Sequence, residues 1–179
     1  MDIQQLAAQV EMLLMDVDGV MTDGRLYNVP DAAGNMVETK GFDSQDGISL
    51  QWMCWNNIKT GLISGRVSPA TVERARQCKF AYVYQGHIEK IPILEEILTD
   101  AKIDPQRVAY IGDDLTDIVI MRRVGLSFAT ANARDEVKRV AHYTTRQPGG
   151  SGAVREVCEF ILKAKNLWEP LLRKYEAVV

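Results

Sequence analysis

Short apolar runs alternate with stretches of helical periodicity along nearly the whole chain. The runs at 12–16, 58–63, 80–84, 107–111 and 125–128 are dominated by aliphatic, aromatic and small residues and read as strands buried on both faces. Between and around them, 2–10, 45–56, 69–78, 89–101, 114–122, 133–139 and 152–165 repeat apolar positions at helical spacing. Strands alternating with helices predict βαβ units, hence a three-layer α/β/α, Rossmann-like parallel sheet. Residues 24–40, GRLYNVPDAAGNMVETK, break the rhythm. Two short alternating segments there flank a Pro-Asp-Ala-Ala-Gly-Asn turn, which predicts a β-hairpin flap inserted after the first strand. The expectation is one domain over 1–179 with a flap at 24–40, a C-terminal tail at 166–179 and no separate cap domain. Within the tail, Leu167-Trp168-Glu169-Pro170-Leu171-Leu172 is apolar enough either to pack on its own domain or to cross a subunit interface.

Charge narrows the partners. Lys plus Arg number 21 against 24 Asp plus Glu, a net charge of -3, so nothing draws the chain generally to nucleic acid or an anionic membrane. An anionic substrate would have to be held by a local cluster. Cys54, Cys78 and Cys158 are odd in number, far apart and form no CxxC, which reads as reduced thiols in a cytoplasmic protein. No apolar stretch approaches the roughly 18 residues of a membrane span, and the N-terminus lacks the basic-then-apolar order of a secretory signal.

The unusual polar residues fall at predicted strand ends, where open α/β sheets bind ligands. Asp16 and Asp18 follow the first strand, and alternation sends both side chains the same way while Val17 packs inward. Ile63-Ser64-Gly65-Arg66 closes the second run, Lys90 follows the third, and Gly112-Asp113-Asp114 closes the fourth. Singly, each has a plain structural explanation: Asp113 as a helix cap with Asp114 and Asp117 in the first turn, Ser64 as a turn hydroxyl, Lys90 as a solvated lysine and Arg66 as the partner of a surface acid. Paired acids at one strand end need a cation, however, because like charges two residues apart repel and are expensive to desolvate.

Together the clusters place carboxylates, a hydroxyl and two cationic groups on one rim. Carboxylates with water and phosphate oxygens suit magnesium. Phosphoryl transfer asks for an in-line nucleophile, neutralised equatorial oxygens and a proton for the leaving group. One carboxylate can attack to form an aspartyl phosphate, and a second can act as acid and then base.

The motifs Asp16-Val17-Asp18-Gly19-Val20-Met21-Thr22-Asp23-Gly24, Ile63-Ser64-Gly65-Arg66, Lys90 and Gly112-Asp113-Asp114-x-x-Asp117 resemble the four motifs of the haloacid dehalogenase superfamily. With Asp46-Gly47, Tyr84-Gln85-Gly86, Val124-Gly125-Leu126-Ser127 and the tail Gly149–Cys158, the chain is similar to the 3-deoxy-D-manno-octulosonate 8-phosphate phosphatase family from about Leu13 to Leu162. The resemblance implies a phosphoric monoester hydrolase in which Asp16 is the nucleophile and Asp18 the general acid/base that meets the substrate. Magnesium would be held by the Asp16 side chain, the Asp18 backbone carbonyl and Asp113, with Asp114 and Asp117 behind them and Asp117 orienting a metal-bound water. Ser64 and Lys90 would hold the transferred phosphoryl, the lysine also quieting the charge on Asp16. Arg66, Arg74 and the loop Asp43-Ser44-Gln45-Asp46-Gly47 match positions lining the substrate site. The family loop carries arginine where this chain has Gln45 and Gln51, and its tail reads GGRG where this chain has Ser151. A nonulosonate 9-phosphate therefore stands beside the eight-carbon sugar acid phosphate as a substrate. A phosphomutase and a non-catalytic metal-binding regulatory subunit are the alternatives to a phosphatase. The resemblance further implies a homotetramer.

Overall fold

The computed structural model describes residues 2–177. After helix α1 (Ile3–Gln9) come β1 (Met12–Met15), the flap strands β2 (Tyr27–Pro30) and β3 (Met36–Thr39), α2 (Ser44–Trp55), β4 (Lys59–Ser64) and α3 (Pro69–Cys78). Then follow β5 (Tyr82–Gln85), α4 (Ile91–Ala101), β6 (Val108–Gly112), α5 (Ile118–Met121), β7 (Leu126–Ala129), α6 (Asp135–Val140), β8 (Tyr143–Thr144), α7 (Ala153–Ala164) and α8 (Trp168–Lys174). Six parallel strands form one sheet in the order β5-β4-β1-β6-β7-β8, and β2 pairs with β3 in a separate antiparallel ribbon.

Strand β1 shows why the layers form. Its four residues are all fully buried, and alternation divides them. Leu13 and Met15 join the core under α1, α2, α3 and α7, whereas Met12 and Leu14 join the core under α4, α5 and α6. Each such side chain contributes about 1.5–3 kcal/mol by leaving water. The three-layer α/β/α architecture expected from the pattern is present.

Connectivity places the site. The chain runs outward from β1 to β4 and β5 through α2 and α3 on one face. It returns through α4 and runs outward the other way to β6, β7 and β8 on the opposite face, as right-handed crossovers require. Strand β1 thus lies where the two directions part, and the crevice beyond its carboxyl end is open to a ligand.

The flap forms as expected, around an Asp31 carboxylate that accepts the backbone N–H groups of Ala33 (2.8 Å) and Asn35 (2.9 Å). Two elements differ from the sequence reading, and a third takes one of the two courses it left open. Strand β8 is a two-residue pairing beside β7, too short to leave a periodic trace. The predicted helix 114–122 splits into a 3-10 turn, Leu115–Asp117, and the short α5, because Asp114 caps the turn and Asp117 turns inward. The C-terminal stretch is a helix packed on its own chain: Leu171 is buried in the core, and Trp168 meets Trp52 edge-on with ring centroids 5.8 Å apart. Among the described residues, no helix is long and apolar enough to cross a membrane.

Candidate active site

Parallel register brings the polar clusters together. Met15 pairs with Leu62 on one side and Ile111 on the other, so Asp16, Ser64 and Gly112-Asp113 leave the sheet at one edge. A cavity of about 300 Å³ opens there, lined by Asp16, Asp18, Ser64, Arg66, Lys90 and Asp113 among others. All the residues assigned to nucleophile, acid/base, phosphate and metal roles, except the buried Asp117 behind it, share this one cavity. Val17 is fully buried, as alternation required.

Lys90 organises the floor. Its ammonium lies 3.0 Å from Asp16 Oδ1 and 2.7 Å from Asp117 Oδ1, with its side chain 2% exposed. Burial works against its charge, but Asp117 and Asp16 outweigh that and hold its pKa above the ordinary lysine value. Asp117 is fully buried and saturated with donors. Its Oδ1 accepts from Lys90 and from the Tyr110 hydroxyl (2.7 Å), and its Oδ2 accepts from the backbone N–H groups of Asp113 (2.9 Å) and Asp114 (3.1 Å). A carboxylate so occupied suits orienting its neighbours better than direct ligation. Tyr110, whose hydroxyl also accepts from Lys90 at 3.2 Å, is a site residue the sequence reading missed. Its only trace is a polar tip inside an otherwise apolar strand.

The acids are undercompensated on their own. Burial pushes the Asp16 carboxyl up to about 6, with Lys90 opposing and Asp117 adding to the rise. Burial, then Asp117, Asp16 and Asp114, push Asp113 up to about 8. Carboxylate oxygens of Asp16, Asp113 and Asp117 come within 4.8 Å of one another, and Asp113 Oδ1 is buried with no hydrogen-bond partner among the described residues. Hard oxygens converging around an unpartnered buried carboxylate fit a divalent cation. Asp113 does not cap a helix; Asp114 does that, accepting from Leu115 N–H at 2.7 Å.

Backbone contacts hold the loop after Asp18. Gly19 adopts φ +88°, and a Cβ there would fall 2.0 Å from Asp113 Oδ2. The Gly19 carbonyl accepts from Asn132 Nδ2 (2.9 Å) and Thr130 Oγ1 (3.3 Å), and a Cβ on Gly149 would lie 1.9 Å from that same oxygen. The glycine-rich tail therefore packs directly on the loop that carries the paired acids.

The flap reaches the cavity by a route the sequence reading did not foresee. Lys40 at the end of β3 pairs with Asp18 Oδ1 and lies 3.2 Å from Glu38 Oε1, while Glu38 Oε2 pairs with Arg66. Glu38 and Lys40 alternate onto one face of β3; that spacing was the available signal.

The residues matched to the substrate loop lie apart from this cavity. Asp43 caps α2, accepting from Gln45 N–H (2.6 Å) and Asp46 N–H (3.0 Å). Asp46 is buried against the start of α7, where it accepts Arg155 N–H at 2.7 Å and substitutes for the side chain that the helix's N-cap, Gly152, lacks. Burial pushes its carboxyl up to about 6, opposed by that N–H. Arg74 donates to the Asp43 carbonyl at 2.6 Å and presses against Gly47. Gln45, with Asp43, Ser151 and Arg155, lines a neighbouring groove, and Ser44 lines another with Asp43 and Lys40.

Comparison with known proteins agrees with this geometry. A family model described as haloacid dehalogenase-like hydrolase matches residues 63–156. A 3-deoxy-D-manno-octulosonate 8-phosphate phosphatase of Yersinia pestis is 41% identical over 94% of this chain and 88% of its own length. The enzyme of the same name from Escherichia coli K12 is 37% identical over 92% of this chain and 86% of its own. The crystal structure of the Moraxella catarrhalis phosphatase, in complex with a magnesium ion, a phosphate ion and a KDO molecule, superposes with a TM-score of 0.91 at 35% identity, covering 97% of both chains.

Proposed function

The chain belongs to the 3-deoxy-D-manno-octulosonate 8-phosphate phosphatase family of haloacid dehalogenase-like hydrolases, and we propose that it is a magnesium-dependent phosphatase that hydrolyses 3-deoxy-D-manno-octulosonate 8-phosphate. The observation that carries this reading is Asp16 at the mouth of the strand edge, 3.0 Å from the Lys90 ammonium and grouped with Asp113 and Asp117. Asp16 and Asp113, with the Asp18 backbone carbonyl, are the groups to hold magnesium. When bound, the ion offsets the charge of the carboxylates and the phosphoryl oxygens, so that one anion can approach another.

Asp16 attacks phosphorus as the bond to the sugar oxygen breaks, and Asp18 gives that oxygen its proton. The product of this half-reaction is an aspartyl phosphate on Asp16. Asp18, now a carboxylate, takes a proton from the water that attacks the phosphorus, which releases inorganic phosphate and restores both acids. Lys90 and the Ser64 hydroxyl hold equatorial oxygens throughout, and Lys90 keeps Asp16 anionic against the desolvation that raises its pKa. Arg66 faces the sugar acid.

A homotetramer completes the proposal. Among the described residues the flap ribbon pairs with no other strand, and Leu26, Val29 and Met36 are 54%, 48% and 65% exposed, which favours burial against a second copy. The unpaired thiols Cys54, Cys78 and Cys158 support a cytoplasmic location.

Release of inorganic phosphate from the eight-carbon sugar acid phosphate, with magnesium and then with excess chelator, tests the reading. Asp16→Asn keeps the shape but removes the attacking charge, and turnover should fall by several orders of magnitude, on the order of 10⁴-fold or more. Activity above about a tenth of the unsubstituted enzyme would overturn the assignment.

A further inference from the structure

Four charged side chains form a continuous ion-pair chain that leaves the cavity, passes through the flap and returns to the cavity, in the order Asp18, Lys40, Glu38, Arg66. Its two ends belong to the cavity and its two middle members to the flap. The Lys40 side chain is 2% exposed, so its ammonium is held between two carboxylates with little help from water. Among the described residues lining the cavity, the cations are Lys90 and Arg66. Lys90 is committed to Asp16 and Asp117, which leaves the Arg66 guanidinium for any anionic group beyond the phosphate. Glu38 already occupies it.

We propose that Glu38 is a specificity-determining latch, exchanged for the carboxylate of the substrate on Arg66. This rests on the sugar-acid reading above. A ligand carboxylate that takes Arg66 displaces Glu38, whose remaining cationic neighbour is Lys40, 3.2 Å away. Glu38 then draws Lys40 toward itself and off Asp18, freeing the carboxyl oxygen that must face the leaving group. A phosphate ester without a carboxylate leaves Glu38 on Arg66 and Lys40 on Asp18, and it reacts from a site whose acid is still engaged. Recognition at one end of the ion-pair chain is thereby coupled to readiness at the other, and the discrimination falls in kcat as much as in KM.

The test compares the eight-carbon sugar acid phosphate with ribose 5-phosphate, which has no carboxylate, on the full-length enzyme with magnesium. In Glu38→Gln the neutral amide no longer pulls on Lys40. kcat for the acid should fall about tenfold toward the ribose 5-phosphate value, its KM should fall because Arg66 is less tightly held, and the ratio of the two kcat values should narrow accordingly. Lys40→Met should raise kcat for ribose 5-phosphate, since Asp18 is then free without a carboxylate. If Glu38→Gln depresses both substrates equally, or leaves the ratio of their kcat values unchanged in an enzyme that prefers the acid, the latch is overturned while the phosphatase reading stands. If the unsubstituted enzyme hydrolyses ribose 5-phosphate but not the acid, the substrate reading fails and the latch falls with it.

Discussion

Asp117 Oδ1 lies 2.7 Å from the Lys90 ammonium, and both side chains are almost wholly withdrawn from water. Breaking one partner of such a pair leaves the other charge uncompensated, at a cost of about 3–5 kcal/mol. Asp117→Asn should therefore lower the melting temperature by several degrees and reduce kcat about 10–100-fold, with Lys90 no longer held between two acids. Tyr110→Phe removes one hydrogen bond from the same carboxylate and should cost about 1 kcal/mol, with a smaller loss of kcat. Thermal melts and steady-state kinetics on the two variants would show whether the order holds; a larger effect from Tyr110→Phe would contradict it.

Acid strength in the cluster makes stability depend on pH and on magnesium together. Asp113 and Asp16 have folded-state pKa values raised to about 8 and about 6, above the ordinary carboxyl value near 3.8. A raised acid binds its proton more tightly in the folded state, so the associated stability is fully present below about pH 4. It is lost as pH rises through 6 and then 8. Metal-free protein should melt progressively lower across that window. Magnesium competes with those protons, so its stabilising increment should grow over the same range. Melting curves from pH 5 to 8.5 in chelator and in magnesium would check this, and an increment independent of pH would contradict it.

Asp46 offers a sharper separation of structure from recognition. Its carboxylate takes Arg155 N–H at the first turn of α7 and lies outside the cavity that holds Asp16. Loss of a capping acceptor costs about 0.5–2 kcal/mol. Asp46→Ala should lower the melting temperature by a few degrees and leave KM for the sugar acid phosphate unchanged. A raised KM at unchanged stability would instead place Asp46 on the substrate.

Much of this was legible in the chain because strand ends are local features. Asp16, Ser64, Lys90 and Asp113 each follow a strong apolar run, and a parallel sheet has to bring such ends to one edge. Asp46 and Arg74 were legible only as motif matches. Their structural partners, the start of α7 and the Asp43 carbonyl, lie far off in sequence, and no local pattern announces a cap supplied from 109 residues away. Tyr110 was hidden by its own strand, where a buried aromatic is unremarkable until a carboxylate is found at its hydroxyl. Lys40 and Glu38 were obscured because a hairpin reads as a lid by its shape, whereas its base carries charge into the site. Helix α8 lay in a stretch too short for its periodicity to declare which surface it covers.

The flap bears the last prediction. Both strands of the ribbon are largely exposed, its edges pair with no other strand among the described residues, and Leu26 and Met36 stand out in water beside Val29 and Val37. A two-stranded ribbon is marginal alone, and an apolar ribbon with open edges invites pairing with another copy. Hairpins meeting around a symmetry axis would bury these residues and bring a neighbouring surface over each cavity, excluding bulk water from the aspartyl phosphate. Leu26→Asp with Met36→Asp puts two charges into that contact without touching Glu38, Lys40 or the cavity. On the proposed homotetramer, sedimentation should show a shift toward monomer. Turnover of the sugar acid phosphate should fall about tenfold or more, while p-nitrophenyl phosphate, small and with a good leaving group, loses far less. A variant whose mass in solution is unchanged, or one that is monomeric yet fully active on the sugar acid phosphate, would show that the flap does not build the site through assembly.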